Sequence, residues 1–268
     1  MSFLREAELE QVFLEDLERL GFARHHGSTV APDLPSALRA SYRDTILAPV
    51  LREALTRLNP DLPETAIAEA QTRIEDVVFA TDLLQENRRL HDLMVNGIPL
   101  TYFADGEERN AQVNVIDWDD TGNDWRAMNQ VDVVGKTPRV PDVILFLNGL
   151  PLVVIELKGI DGADLTAAFR QIETYKEDIP DLFKTTLLSV ISDDVTARYG
   201  SLSAGYDRFM RWRTVDGETL ASKGAALELE NLTNGLLNRR TLLDMLRWFV
   251  VFEDEGKGAI KPDVAPMN

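Results

Sequence analysis

Three charged residues stand where charge is costly. Asp142, Glu156 and Lys158 sit at the two ends of PDVILFLNGLPLVVIELKG, residues 141–159. The runs VILFL and LPLVVI read as buried strands around an Asn-Gly turn. Charged groups beside a buried sheet are expensive unless they are paired or hold a metal. Glu156 and Lys158 are two apart and share a strand face. Whether Asp142 joins them depends on the loop. A strict two-residue turn at Asn148-Gly149 sets Asp142 against Ile155, pointing away from Glu156. A three- or five-residue loop, or one bulge, sets it against Glu156. The expectation is an odd-length loop or a bulge, with the two carboxylates within about 5 Å, the span one shared cation can bridge.

That trio suits phosphodiester hydrolysis. Two close carboxylates repel unless a cation lies between them, and Mg²⁺, with Mn²⁺ able to substitute, takes oxygen ligands while keeping several waters. Asp142, Glu156 and the Leu157 backbone carbonyl are the expected metal ligands. A metal there polarises a phosphate oxygen and acidifies a bound water. The lysine orients that water or offsets charge on the phosphorane. The plain alternative is a solvated Glu-x-Lys salt bridge worth under ~1 kcal/mol. Context separates the two. The flanking strands are apolar, the order is right, and an amphipathic helix, DLTAAFRQIETYKEDIP (164–180), follows directly. On it Gln171 and Tyr175 lie at i, i+4 beside a core stripe of Leu165, Ala168, Phe169 and Ile172.

The elements that must position this trio are legible as periodicities. Residues 4–20 carry apolar positions at three- and four-residue spacing and end at Gly21, a helix with its C-cap. Further helices are expected over roughly 35–58, 63–79, 81–95 and 236–253, with HHGSTVAPDLP (25–35) as a turn-rich connection. From about residue 98 the period changes to two. TYF, QVNVIDW, QVDVVG, the hairpin itself and TTLLSVIS (185–192) read as strands. Strand, helix and strand across 152–191 make a right-handed βαβ crossover closing on one sheet. The expected fold is one α/β domain over 1–255, a mixed central sheet flanked by helices. It divides into a helical part at about 1–97, a core at about 98–200, a C-terminal helical part at about 201–255, and a loose tail at 256–268.

Composition excludes several classes. The 268 residues include no cysteine, so thiolate zinc sites, cysteine nucleophiles and disulfides are out. No apolar run approaches a membrane span, and the charged N-terminus is not a signal peptide, so no membrane partner is expected and the cytoplasm is the default location. Net charge is −17, which argues against unaided gripping of a polyanion despite arginine clusters at 88–89, 208–213 and 239–240. His25 and His26 lack metal-ligand spacing, and GSLSAG (200–205) does not fit a nucleophile elbow.

The pattern PD-x13-E-x-K followed by Q-x-x-x-Y resembles the PD-(D/E)xK nuclease superfamily in its RecB-like branch. TRLNPDLPETAIAEA (56–70), NRRLHDLMVNGIPLTY (87–102), VNVIDWDDTGNDWRAMNQ (113–130), NGLPLVVIELKG (148–159) and ARYGSLSAGYDRFMRWRTVDG (197–217) extend it. Together these resemble the N-terminal region of type I restriction enzyme R (HsdR) subunits over nearly the whole chain. The resemblance implies a restriction-endonuclease-like core with added helices, cutting double-stranded DNA with Asp142, Glu156 and Lys158 as catalytic residues. It implies Gln171 and Tyr175 as an accessory motif for DNA or motor coupling, and Glu8 or Glu10 as an N-terminal helix acid near the metal. Modification (M) and specificity (S) subunits are the implied partners. ATP would be used only through motor domains outside this chain, which has no GxxxxGK[ST] phosphate loop. The chain then reads as an N-terminal fragment. The alternatives are a stand-alone repair nuclease of the same superfamily or a docking module that does not cut.

Overall fold

The computed structural model describes residues 6–76, 82–159, 165–193, 195–216, 228–254 and 260–264. Within them the chain runs α1 (Glu6–Arg19), β1 (Ala23–His26), α2 (Ala48–Leu58), α3 (Glu64–Glu75) and α4 (Leu83–Asn96). Next come β2 (Ile98–Ala104), β3 (Glu107–Val113), β4 (Trp125–Asn129), β5 (Val133–Val134), β6 (Pro138–Arg139), β7 (Val143–Leu147) and β8 (Leu150–Leu157). After these lie α5 (Leu165–Asp178), β9 (Leu188–Ser192), β10 (Ala197–Gly200), α6 (Glu228–Gly235), α7 (Arg239–Trp248), β11 (Val250–Asp254) and β12 (Ile260–Val264).

The organising element is a six-stranded mixed sheet of order β1-β4-β7-β8-β9-β10. β1 runs parallel to β4, β4 and β7 are antiparallel, β7 and β8 form the hairpin, and β8 is parallel to β9. The crossover β8-α5-β9 therefore closes on one sheet, as the sequence predicts. These directions gather the C-terminal ends of β1, β4, β8 and β9 and the start of β7 at one edge. That edge holds Asp142, Glu156 and Lys158.

Helices cover both faces, because the central strands are buried throughout. On one face Leu9, Phe13, Leu14 and Leu17 of α1 pack with Ala127, Val143, Leu145 and Ile155. On the other, Leu165, Ala168, Ile172 and Tyr175 of α5 pack with Met128, Ile144, Val154 and Ile191. Burial of each large apolar side chain in these layers stabilises the fold by roughly 1.5–3 kcal/mol. α1 stops where Gly21 takes φ 92°, with the Phe22 N–H closing on the Leu17 carbonyl at 3.1 Å.

Several expectations need correction. The helix foreseen over 35–58 begins only at Ala48. Upstream, Asp44 accepts from the Ser41 N–H at 2.9 Å and Ser41 Oγ from the Arg43 N–H at 3.0 Å. Such local bonds compete with a helix, and Pro49 then starts one. The single helix foreseen over 236–253 is two, α6 and α7, with the Asn238 side chain capping α7 through the Arg240 N–H. Past Trp248 the β-branched pair Val250-Val251 turns the chain to strand, and β11 pairs with β12 where a loose tail was expected.

Strand positions moved as well. QVDVVG gives only the short β5, while the central strand β4 is the neighbouring WRAMN. QVNVIDW is strand only to Val113. β1 was not foreseen, and its last two residues, His25 and His26, fall in the stretch read as turn-rich. The expected helix ends at residues 79 and 81 lie outside the described residues, as do 256–259 and 265–268 of the expected tail. Among the described residues no helix is long and apolar enough to cross a membrane.

Candidate active site

The hairpin resolves the register question. Leu147 pairs with Leu150, and Asn148 and Gly149 take φ 51° and 82°, a two-residue turn of the primed type. That turn is locked in place. The buried Asn148 amide donates to the Val115 carbonyl at 2.8 Å and to Asn123 Oδ1 at 2.9 Å, and Asn148 Oδ1 accepts from the Asp124 N–H at 2.8 Å. A Cβ on Gly149 would stand 2.7 Å from the Leu47 carbonyl oxygen, so the turn packs directly against the start of α2.

The shift comes from a bulge instead. Phe146 faces Pro151 while Leu145 faces Val153, so Leu152 is the extra residue. Leu152 and Val153 consequently both face the α1-side core, and Val154 turns to the α5 side. Val143 then pairs with Ile155, and the next step sets Asp142 opposite Glu156 on the α5 face. Of the two routes that the sequence allowed to this juxtaposition, the fold uses the bulge.

The side chains are tightly bonded. Asp142 Oδ2 accepts from the Leu157 N–H at 2.8 Å, and the Asp142 carbonyl from the Gln130 N–H at 3.2 Å. Glu156, 1% exposed, accepts from Lys158 Nζ on Oε1 at 2.6 Å and from the Tyr175 hydroxyl on Oε2 at 2.9 Å. The Lys158 N–H donates to the Ser192 carbonyl at 2.8 Å, tying the end of β8 to β9. A carboxylate this deeply buried is tolerable because each oxygen meets a donor. Removing one partner of such a pair costs on the order of 3–5 kcal/mol.

Tyr175 connects both carboxylate-bearing segments. Its hydroxyl lies 3.3 Å from the Val140 carbonyl, two residues before Asp142, and is hydrogen-bonded by Gln171. Burial first, and then the Glu156 charge, push the phenol far above its ordinary pKa. It therefore remains a proton donor to Glu156. At 2% exposure, Tyr175 faces the protein interior.

Glu10 is bonded to the end of β4. Its carboxylate accepts from Asn129 Nδ2 at 2.7 Å and from Gln130 Nε2 at 3.0 Å. Glu8 is exposed on the same helix. Among the described residues no group of three or more histidine or acidic side chains is placed to hold a metal ion, so neither glutamate is gathered with Asp142 and Glu156 as a third acid. Leu157 meets Asp142 through its N–H. The sequence reading passed over Asn129 and Gln130. The one available signal was an Asn-Gln pair directly after the apolar residues of WRAMNQ.

The Arg239 guanidinium, expected only as part of a basic cluster, pairs with Asp120. His25 sits in β1 opposite Met128, its pKa lowered by burial and by the Arg126 charge.

Comparison with known proteins identifies the family. The family profile for the type I restriction enzyme R protein N terminus matches residues 3–208. The type I restriction enzyme HindI endonuclease subunit of Haemophilus influenzae is 37% identical over 274 residues, covering 99% of this chain and 26% of that protein. The MjaIXP endonuclease subunit of Methanocaldococcus jannaschii is 28% identical over 250 residues, covering 89% of this chain and 23% of that protein. The EcoprrI endonuclease subunit of Escherichia coli is 27% identical, covering 94% of this chain and 76% of that protein. The chain spans about a quarter of the length of the first two relatives. It belongs to the type I restriction enzyme R protein N-terminal family.

Proposed function

We propose that this chain is the DNA-cutting domain of a type I restriction R subunit, hydrolysing phosphodiester bonds of double-stranded DNA at Asp142, Glu156 and Lys158. The observation that carries the reading is the bulged register, which sets two carboxylates and an ammonium at one sheet edge although the turn alone would separate them. A docking surface has no need of such a cluster.

The donor set fits a hard divalent cation such as Mg²⁺ or Mn²⁺. Asp142 and Glu156 offer only oxygen, and a carboxylate oxygen has two lone pairs, so accepting one hydrogen bond is compatible with holding a cation. With two acids and, among the described residues, no third gathered with them, the rest of the shell falls to the Leu157 carbonyl and water, a pattern natural to Mg²⁺. When bound, the ion supplies Lewis acidity to a phosphate oxygen and lowers the pKa of a water. Lys158 adds positive charge where the phosphorane becomes more negative, and Glu156 holds Lys158 there. Tyr175 and Gln171 fix Glu156 from the α5 side.

Partners follow from charge and length. At net charge −17 the domain approaches DNA poorly by itself, because affinity rests on phosphate contacts. Motor domains of the same polypeptide, using ATP, and modification and specificity subunits would supply that grip, in the cytoplasm. The test is plasmid cleavage by the reconstituted complex with and without Mg²⁺. Cleavage should require the ion and vanish in Asp142→Ala while ATP hydrolysis persists. Undiminished cleavage by that variant would remove the assignment.

A further inference from the structure

Glu10, Asn129 and Gln130 form a joint that reaches the Asp142 segment without passing through the cluster already described. Glu10 comes from α1, whose Leu9, Phe13, Leu14 and Leu17 are anchored in the core, so its Cα is firmly placed. Both oxygens of its carboxylate meet side-chain amides, Asn129 Nδ2 at 2.7 Å and Gln130 Nε2 at 3.0 Å. Those amides belong to the last residue of β4 and the one after it. Gln130 takes the left-handed conformation, φ 52°, which is unfavourable for a residue with a side chain and needs outside support. Its N–H donates to the Asp142 carbonyl at 3.2 Å, one rung beyond the last β4–β7 pair, Asn129 with Val143. Behind it, Gly27 is cut to fit, since a Cβ there would stand 2.2 Å from the Gln130 carbonyl oxygen.

Asn129 supplies a second observation. Its Oδ1 is buried and has no hydrogen-bond partner, although the residue is only 6% exposed. Flipping the amide would turn that oxygen onto the Glu10 carboxylate. The orphaned oxygen is thus the cost of directing Nδ2 at Glu10, and a fold bears such a cost where the arrangement is used.

We propose that Glu10 is a strut, with Asn129 and Gln130 as positioning residues. Through the two amides Glu10 holds Gln130 left-handed, and Gln130 in turn fixes the backbone of Asp142 opposite Glu156. In this role Glu10 acts on the site through peptide geometry and not as a ligand of the cation. The inference rests on the nuclease reading of Asp142.

The strut is tested by reversing its polarity. In Glu10→Gln a donor replaces one carboxylate oxygen, so two amide donors face each other unless Asn129 or Gln130 turns its amide end for end. In the double variant Glu10→Gln with Gln130→Glu the pairing returns with the carboxylate moved to position 130. Gln130→Ala, which removes one contact without opposing two donors, serves if Glu10→Gln fails to fold. In the full complex, cleavage should fall about a hundredfold in either single variant, the scale of a 1 Å misplacement of a reacting group, with ATP hydrolysis unchanged. The Mg²⁺ concentration for half-maximal cleavage should rise, and the double variant should restore both. On the chain itself, exchange of the Gln130 amide hydrogen should quicken in the single variants and slow again in the double, with Mn²⁺ binding following the same order.

A double variant as inactive and as poor in Mn²⁺ binding as Glu10→Gln makes Glu10 a ligand and overturns the strut. So does a Glu10→Gln that cuts normally. Asp142→Ala runs beside them. If it cuts normally, the nuclease reading fails, while the exchange data still decide whether the strut exists.

Discussion

The Tyr175 hydroxyl lies 2.9 Å from Oε2 of Glu156 and 3.3 Å from the Val140 carbonyl, so one buried phenol from α5 bridges the segments carrying both acids. Gln171, one turn earlier, bonds to the same hydroxyl. This pair supports the acids from inside the protein. Tyr175→Phe should leave Glu156 short of a donor and lower stability by about 1–3 kcal/mol in urea melts. Cleavage should drop about 10- to 100-fold, the usual effect of losing a partner of a metal-site ligand. DNA affinity should not change, since the ring is buried; a parallel loss of DNA binding would show that Tyr175 becomes exposed in the working complex.

Asp142 serves two ends that substitution can separate. Its Oδ2 accepts from the N–H of Leu157, a residue with no solvent exposure. Asp142→Ala strands that N–H and should cost about 1–3 kcal/mol. Asp142→Asn keeps an acceptor and removes a negative charge facing Glu156, so its melting midpoint should match or exceed that of the unsubstituted chain. Both variants should lose Mn²⁺ binding in a titration followed by electron paramagnetic resonance. Retained binding in both would place the cation site elsewhere.

How much of this was open to the sequence depends on the range of the interaction. α1 and α5 were legible because three- and four-residue spacing fixes one helical face at a time, and β8-α5-β9 followed from order alone. The bulge was legible only as a requirement. Two charges in an apolar hairpin demanded it, but its location at Leu152 depends on how Asn148 and Gly149 are clamped by residues 47 and 115–124. β1 was not legible, because ARHH has no apolar alternation and is strand only through its pairing with β4. The same limit hid Asn129 and Gln130, whose partner Glu10 lies 119 residues away from the first of them.

His91 makes the fold sensitive to acid. Nε2 lies 2.9 Å from the Leu246 carbonyl, tying α4 to α7, while Nδ1 is buried without a partner and the ring packs edge-on to Phe252. Burial lowers its pKa, against smaller opposing effects of the Leu246 carbonyl and Asp92. The unfolded chain then takes up a proton near pH 6.5, where the folded chain still resists. Stability is therefore full above that value and declines as pH falls below it toward the folded pKa. His91→Gln keeps a donor for Leu246 and cannot titrate, so its urea midpoint should vary less between pH 7 and pH 5. A residual slope of the same sign is expected from His25, also lowered by burial. An unchanged slope in the variant would assign the effect to other groups.

Lys158 separates chemistry from assembly. Its ammonium is 2.6 Å from Glu156 Oε1 and 19% exposed, against 2% for the Glu156 side chain, so it is the member of the pair that meets solvent at the sheet edge. The proposed reaction needs that charge on a phosphate oxygen or the attacking water, and a shorter side chain cannot supply it. Lys158→Ala should abolish cleavage by the reconstituted enzyme while subunit assembly, ATP hydrolysis and translocation stay near normal. Lys158→Arg should not restore cleavage, because a planar fork cannot occupy the place of a compact ammonium in so tight a site. Cleavage and ATP use must be measured together on folded protein. Persistent cleavage would remove Lys158 from the chemistry. Joint collapse of both activities would make it a coupling element between this domain and the motor.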